Sequence, residues 1–120
     1  MKVRCVKLLD ARGEPQEKSP WLTIGKIYVV LAVELSLTGR WMFRVVSDGA
    51  NGVALFPLDS FEIVTANLPP NWIISWKSNG FFQIAPETWM EAGFWERFYD
   101  RDEQAETLFE RERKLIESYA

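Results

Sequence analysis

Apolar positions recur every second residue over the first half of this chain and at helical spacing near its end. Val3 and Cys5 alternate with Lys2, Arg4 and Lys7, which predicts a short strand able to run on through Val6 to Leu9. The segment 10–20, DARGEPQEKSP, breaks the pattern with Gly, two Pro and mixed charges and reads as a long surface loop closed by Trp21. Lys26 to Glu34 is dense in β-branched and aromatic residues, a strand entered after Gly25. SLTG turns the chain, and Trp41, Phe43 and Val45 then alternate with Arg40, Met42 and Arg44, a strand expected to be half buried with the arginines in water. Asp48-Gly49 and Asn51-Gly52 supply a tight turn, returning Val53 to Leu58 beside that strand with Pro57 at its edge or end. Asp59 and Ser60 turn once more into a brief strand through Phe61, Ile63 and Val64.

The second half changes period. ANLPPNW, residues 66–72, reads as a boundary or brace, because each Pro pushes the residue before it out of helical geometry. Asn79-Gly80 between two apolar runs predicts a hairpin of Trp72 to Lys77 and Phe81 to Ala85 able to extend the sheet. Pro86 suits a first helical position, and Met90, Phe94 and Phe98, flanked by Trp89, Trp95 and Tyr99, predict a helix with a wide apolar arc and Gly93 inside it at a cost of about 1 kcal/mol. Asp100 with Glu103 has the spacing of a capping box for a second helix, whose apolar face is traced by Ala105, Leu108, Phe109, Glu112, Leu115, Ile116 and Tyr119.

Five short strands with one long first loop outline a small barrel. Leu22, Thr23, Gly25, Lys26, Tyr28 and Val30, followed by Phe56 and by Phe61 to Val64, resemble the SH3-like barrel of many small bacterial proteins. That resemblance covers about half the chain and implies a fold, since such barrels bind peptides, nucleic acids and proteins alike. The expected fold class is α+β: a small antiparallel SH3-like β-barrel over residues 1–65, then a β-hairpin and two C-terminal helices over 66–120, forming a single domain over 1–120.

Composition limits the chemistry. There is no histidine, which removes the usual general base near neutral pH and the commonest metal ligand. Cys5 is the single cysteine, so no internal disulfide can form, and its place in an alternating strand reads as a small buried apolar residue. No phosphate-binding loop or nucleophile elbow occurs. The chain is therefore read as non-enzymatic, with no cofactor and no metal. It shows no apolar run of signal-peptide length and nowhere about 18 consecutive apolar residues, which sets the expectation of a cytoplasmic protein without a membrane partner.

Charge is uneven. Residues 1–65 carry eight Lys and Arg against seven Asp and Glu, and residues 66–120 carry six against ten, so a balance of +1 faces one of -4. An acidic second half opposes nucleic-acid phosphates and suits a basic protein partner. Lys2, Arg4, Lys7, Arg40, Arg44 and Lys77 are read as a solvated face rather than a nucleic-acid groove. Six tryptophans exceed what a small core needs, and Trp is common at binding hot spots. The candidate partner-binding residues are Trp72, Trp76, Trp95 and Tyr99 with the carboxylates Glu96, Asp100, Asp102 and Glu103. A small, acidic, cofactor-free bacterial domain of this kind resembles, in type and without a diagnostic motif, the immunity proteins that neutralise toxin nucleases. What that likeness implies is inhibition of a basic toxin through an acidic, aromatic surface. The competing readings are a phage or mobile-element accessory protein, an SH3-like adaptor taking a peptide near Trp21 and Trp41, a nucleic-acid binder and a carboxylate-based enzyme. A homodimer through the aromatic helix fits the same residues.

Overall fold

The computed structural model describes residues 1–49 and 52–120. Seven strands and two helices follow in order: β1 (Lys2–Cys5), β2 (Ile27–Leu35), β3 (Trp41–Val46), β4 (Val53–Pro57), β5 (Phe61–Thr65), β6 (Trp72–Trp76), β7 (Phe82–Pro86), α1 (Phe94–Tyr99) and α2 (Glu103–Ser118). The protein is thus α+β, with antiparallel strand pairs in the order β4-β3-β2-β1-β5 and with β7 joining β2 and β6. Among the described residues no ladder joins β4 to β5, so the sheet is open where a closed barrel was expected.

The nine-residue β2 organises the sheet. Its first half pairs with β1, Val3 opposite Tyr28, while its second half pairs with β7, Val33 opposite Ile84. Its other edge carries β3 from Val30 to Leu35, with an irregularity between Val30 and Ala32. The turns obey their glycines: Gly39 and Gly80 both sit at positive φ, and Lys77 N–H donates to Phe81 O at 2.9 Å across the Ser78-Asn79-Gly80 loop. A three-residue loop with Gly in the left-handed region matches the right-handed twist of a hairpin. In the β3–β4 turn, Ala50 and Asn51 lie outside the described residues.

β2 and β3 are covered on both sides. One cluster, Val3, Tyr28, Val30, Val33, Phe43, Val45, Phe56 and Phe61 among others, fills the concave side of the curled sheet. A second, Leu31, Val53, Trp89, Phe94, Ala105, Phe109 and Ile116, lies between the opposite sheet face and the helices. Arg44 is accordingly buried, at 6% exposure, where alternation had put it in water. The correction has a simple cause: period-two patterning reports which side chains share a face, and the helices then cover the face left for solvent.

The aromatic segment is also rearranged. Instead of one helix from Pro86, a short 3-10 turn at Glu87–Met90 is followed by Gly93 at φ 78°, and α1 starts only at Phe94. Gly93 is therefore the N-cap of α1, three residues past the end of the 3-10 turn, in a conformation that an L-residue adopts only with strain. The capping box moves as well. Arg101 takes φ 64°, Asp100 closes α1, and the N-cap of α2 is Asp102, whose carboxylate accepts the Ala105 N–H at 3.0 Å. A cap of this kind contributes about 1 kcal/mol.

At the opposite end, Asp48 ties the long-loop exit to β2. It accepts hydrogen bonds from Thr23 Oγ1 at 2.7 Å, Lys26 Nζ at 2.5 Å and Tyr28 OH at 3.0 Å. Desolvation alone would raise its pKa, but the bonds from Lys26, Thr23 and Tyr28 outweigh it and hold the carboxyl below its ordinary 3.8. A depressed folded-state pKa stabilises the fold above the unfolded value and loses that contribution as pH falls through the folded value. Wild type should therefore lose stability to acid below about pH 4 more steeply than Asp48→Asn, which should start with a lower urea midpoint at pH 7. Urea titrations across that pH range check both statements.

Candidate functional site

The corner between α1 and α2 is built from the sheet outward. β3 holds Arg44 beneath α1, where Nη2 donates to Glu34 Oε1 of β2 at 3.0 Å. The guanidinium carbon lies 3.8 Å from the Trp95 ring centroid, an offset of burial by cation–π attraction. Arg44 Nη1 donates to the Tyr99 hydroxyl at 3.3 Å, and that hydroxyl donates to Val53 O of β4 at 2.6 Å. Tyr99 is consequently fixed from below by its polar tip while the residue as a whole remains 48% exposed, its ring flanked by Trp95 and Phe98. Trp95 packs edge-on against Trp89 and Phe109, with centroids 5.6 and 6.1 Å apart, so its ring serves the helical layer.

Five acids lie on the same two helices. Glu96, Asp100, Asp102, Glu103 and Glu106 are exposed, and none takes part in an ion pair among the described residues. Asp102 is engaged as the helix cap. Farther along α2 the charges neutralise one another, Arg113 bridging Glu110 at 3.3 Å and Glu117 at 2.6 Å. Beside Tyr99 an open cleft of about 440 Å³ is lined by Val53, Phe98, Arg101, Glu106, Phe109 and Arg113, among others. Its walls mix charge and apolar surface. Among the described residues no group of three Cys, Asp or Glu is disposed to hold a metal ion.

The residues singled out by sequence divide into three places. Tyr99, Asp100, Asp102, Glu103 and Glu96 share the corner. Trp72 and Trp95 are only partly exposed: Trp72 Nε1 donates to Leu31 O at 3.0 Å, and Trp72 packs against both core clusters. Trp76, 71% exposed, belongs to the separate β6–β7 hairpin. Sequence reasoning missed Arg44 and Glu34, which anchor Tyr99. The available signal was their placement on adjacent strands, Glu34 at the end of one apolar run and Arg44 inside the next.

A second depression of about 300 Å³ lies between the long loop and β4, lined by Leu9, Asp10, Gln16, Trp21, Leu55 and Pro57, among others. Trp21 is held there by close approach to Gly49, where a Cβ would collide with its ring. Trp41 lies elsewhere, edge-on to Phe82 of β7 at 5.7 Å.

Fold and corner together define an α+β chain whose helical layer is tied to the sheet through Tyr99 and Arg44. Comparison with protein-family models, curated proteins and solved structures finds no match. No helix among the described residues is long and apolar enough to cross a membrane.

Proposed function

We propose that this chain is a non-catalytic protein-binding domain that meets a basic protein through the α1–α2 corner, in the manner of an immunity-type inhibitor. One observation carries the reading: Tyr99 is anchored through its hydroxyl to Val53 O and Arg44, yet stays 48% exposed on helices whose carboxylates Glu96, Asp100 and Glu103 have no ion-pair partner among the described residues. A rigid aromatic ring loses little entropy on binding, and unpaired acids on the same helices steer and orient a cationic partner. Inhibition of a basic toxin uses the same geometry, carboxylates occupying the place of phosphates. The SH3-like reading of the first five strands is supported by their order, β4-β3-β2-β1-β5, curled about one shared core.

The test is capture of a partner from source-cell lysate by wild type and by the Asp100→Lys/Glu103→Lys variant. Both positions are exposed and the Asp102 cap is left in place, so the fold should survive. A basic protein should be retained by wild type, eluted by salt and missed by the variant; equal retention by both would exclude this surface. The depression near Trp21 favours a second reading, an SH3-like adaptor for an extended peptide. In that case Trp21→Ala, not the charge reversal, would abolish capture.

A further inference from the structure

Strand β6, WIISW, has β7 on one side and, among the described residues, no strand on the other. Lys77 N–H donates to Phe81 O, so Lys77 and Phe81 form a bonded pair, and antiparallel alternation makes Ser75/Gln83 and Ile73/Ala85 the next bonded pairs. The backbone groups of Ile74 and Trp76 then point away from the sheet. Pro86, lacking an N–H, falls opposite Trp72 in a non-bonded pair, as that alternation requires. Edge strands are usually blunted by charge, proline or a bulge. The other two outer strands have such protection: β4 ends at Pro57 beside the long loop, and β5 carries Glu62 paired to Arg4 at 2.9 Å. β6 has none. No charged residue occurs from Leu68 to Trp76, and Ile73, Ile74 and Trp76 are exposed.

We propose that β6 pairs antiparallel with β6 of a second copy of this chain, the two-fold axis passing beside Ile74. In that register the outward N–H and C=O of Ile74 pair with those of its own counterpart, and the half-buried Trp72 lies opposite Trp76 of the other copy, its carbonyl meeting the Trp76 N–H while its own N–H stays with Pro69 O at 3.3 Å. The ends are complementary too. Lys77 falls opposite Asn71 of the other copy, on the same sheet face, and Asn71 Nδ2 is bound to the Glu112 carboxylate at 2.8 Å. Each Lys77 thereby approaches the side of the other copy that carries Glu112, a carboxylate already met by Arg111 at 3.2 Å, while the two Lys77 side chains stand about 20 Å apart, six strand residues away. This self-complementarity selects a second copy over an unrelated strand, and an isologous two-fold contact closes without propagating. The contact is independent of the acidic corner. With fewer residues than the roughly 20–30 a side of a standard interface, the dimer should form at about micromolar concentration.

Sedimentation velocity on wild type from about 1 to about 500 μM should show a monomer giving way to a dimer, and Ile74→Lys, which sets lysine against lysine at the axis, should remain monomeric with unchanged circular dichroism. As a second arm, Ile74→Cys should cross-link under mild oxidation, because bonded antiparallel pairs hold Cα atoms about 5.5 Å apart, within disulfide reach. Ile63→Cys, exposed on β5, should not. A wild-type monomer throughout, a dimer indifferent to Ile74→Lys, or cross-linking no faster at Ile74 than at Ile63 would each overturn the proposal.

Discussion

Arg44→Ala should destabilise the protein by about 3–5 kcal/mol, a large share of the roughly 5–15 kcal/mol by which a domain of this size is stable. The loss comes from what the substitution leaves behind. Glu34, only 12% exposed in its side chain, would keep a buried carboxylate without its guanidinium, and Trp95 would lose the planar group it covers. The pair itself need not be stabilising overall, because each charge was costly to desolvate and Arg44 Nε has no hydrogen-bond partner among the described residues. Arg44→Met combined with Glu34→Leu should therefore return to within about 1 kcal/mol of wild type. Urea midpoints of Arg44→Met, Glu34→Leu and the double variant measure the coupling directly. Additive losses would show that Arg44 and Glu34 act separately.

Trp89→Ala should cost a comparable amount, about 3–5 kcal/mol, through the cavity it opens at the centre of the helical layer. Trp89 is 2% exposed and stacks on Phe109 with centroids 5.1 Å apart, while Phe94 and Trp95 close two more sides. Its indole N–H has no partner among the described residues, so replacement by a smaller aromatic forfeits no hydrogen bond. Trp89→Phe should accordingly cost less than about 2 kcal/mol. Thermal unfolding of the two variants separates them; equal losses would mean that the site depends on the indole itself and not on filled volume.

Trp89 also marks what could and could not be read from the chain. Alternation and glycines located the strands and their turns, because each strand face and each left-handed turn residue is a local requirement. The layer above the sheet is not local. Arg44 looked solvated because no pattern within β3 announces that α1 will lie over it, and Trp72 and Trp95 looked available for a partner because nothing in their spacing shows that the sheet and Trp89 already occupy them. Gly93 and Arg101 show the same limit at shorter range. A glycine inside an aromatic periodicity reads as a weak helical residue, whereas at φ 78° it separates two elements; an arginine at φ 64° displaces the cap from Asp100 to Asp102. Glu96, Asp100, Asp102 and Glu103 are all exposed on the two helices, Asp102 as the cap of α2. Openness of the sheet and the bare edge of β6 were beyond the sequence, because both depend on which strands meet across long separations.

The measurement that bears most directly on the proposed role is the dissociation constant of the captured basic protein for wild type and for Asp100→Lys/Glu103→Lys, taken at low and at high salt. The acidic corner predicts at least tenfold weaker binding by the variant at low salt, about 1.4 kcal/mol, and a difference that shrinks as salt screens it. Equal affinities at both salt concentrations would place the interface elsewhere on the molecule.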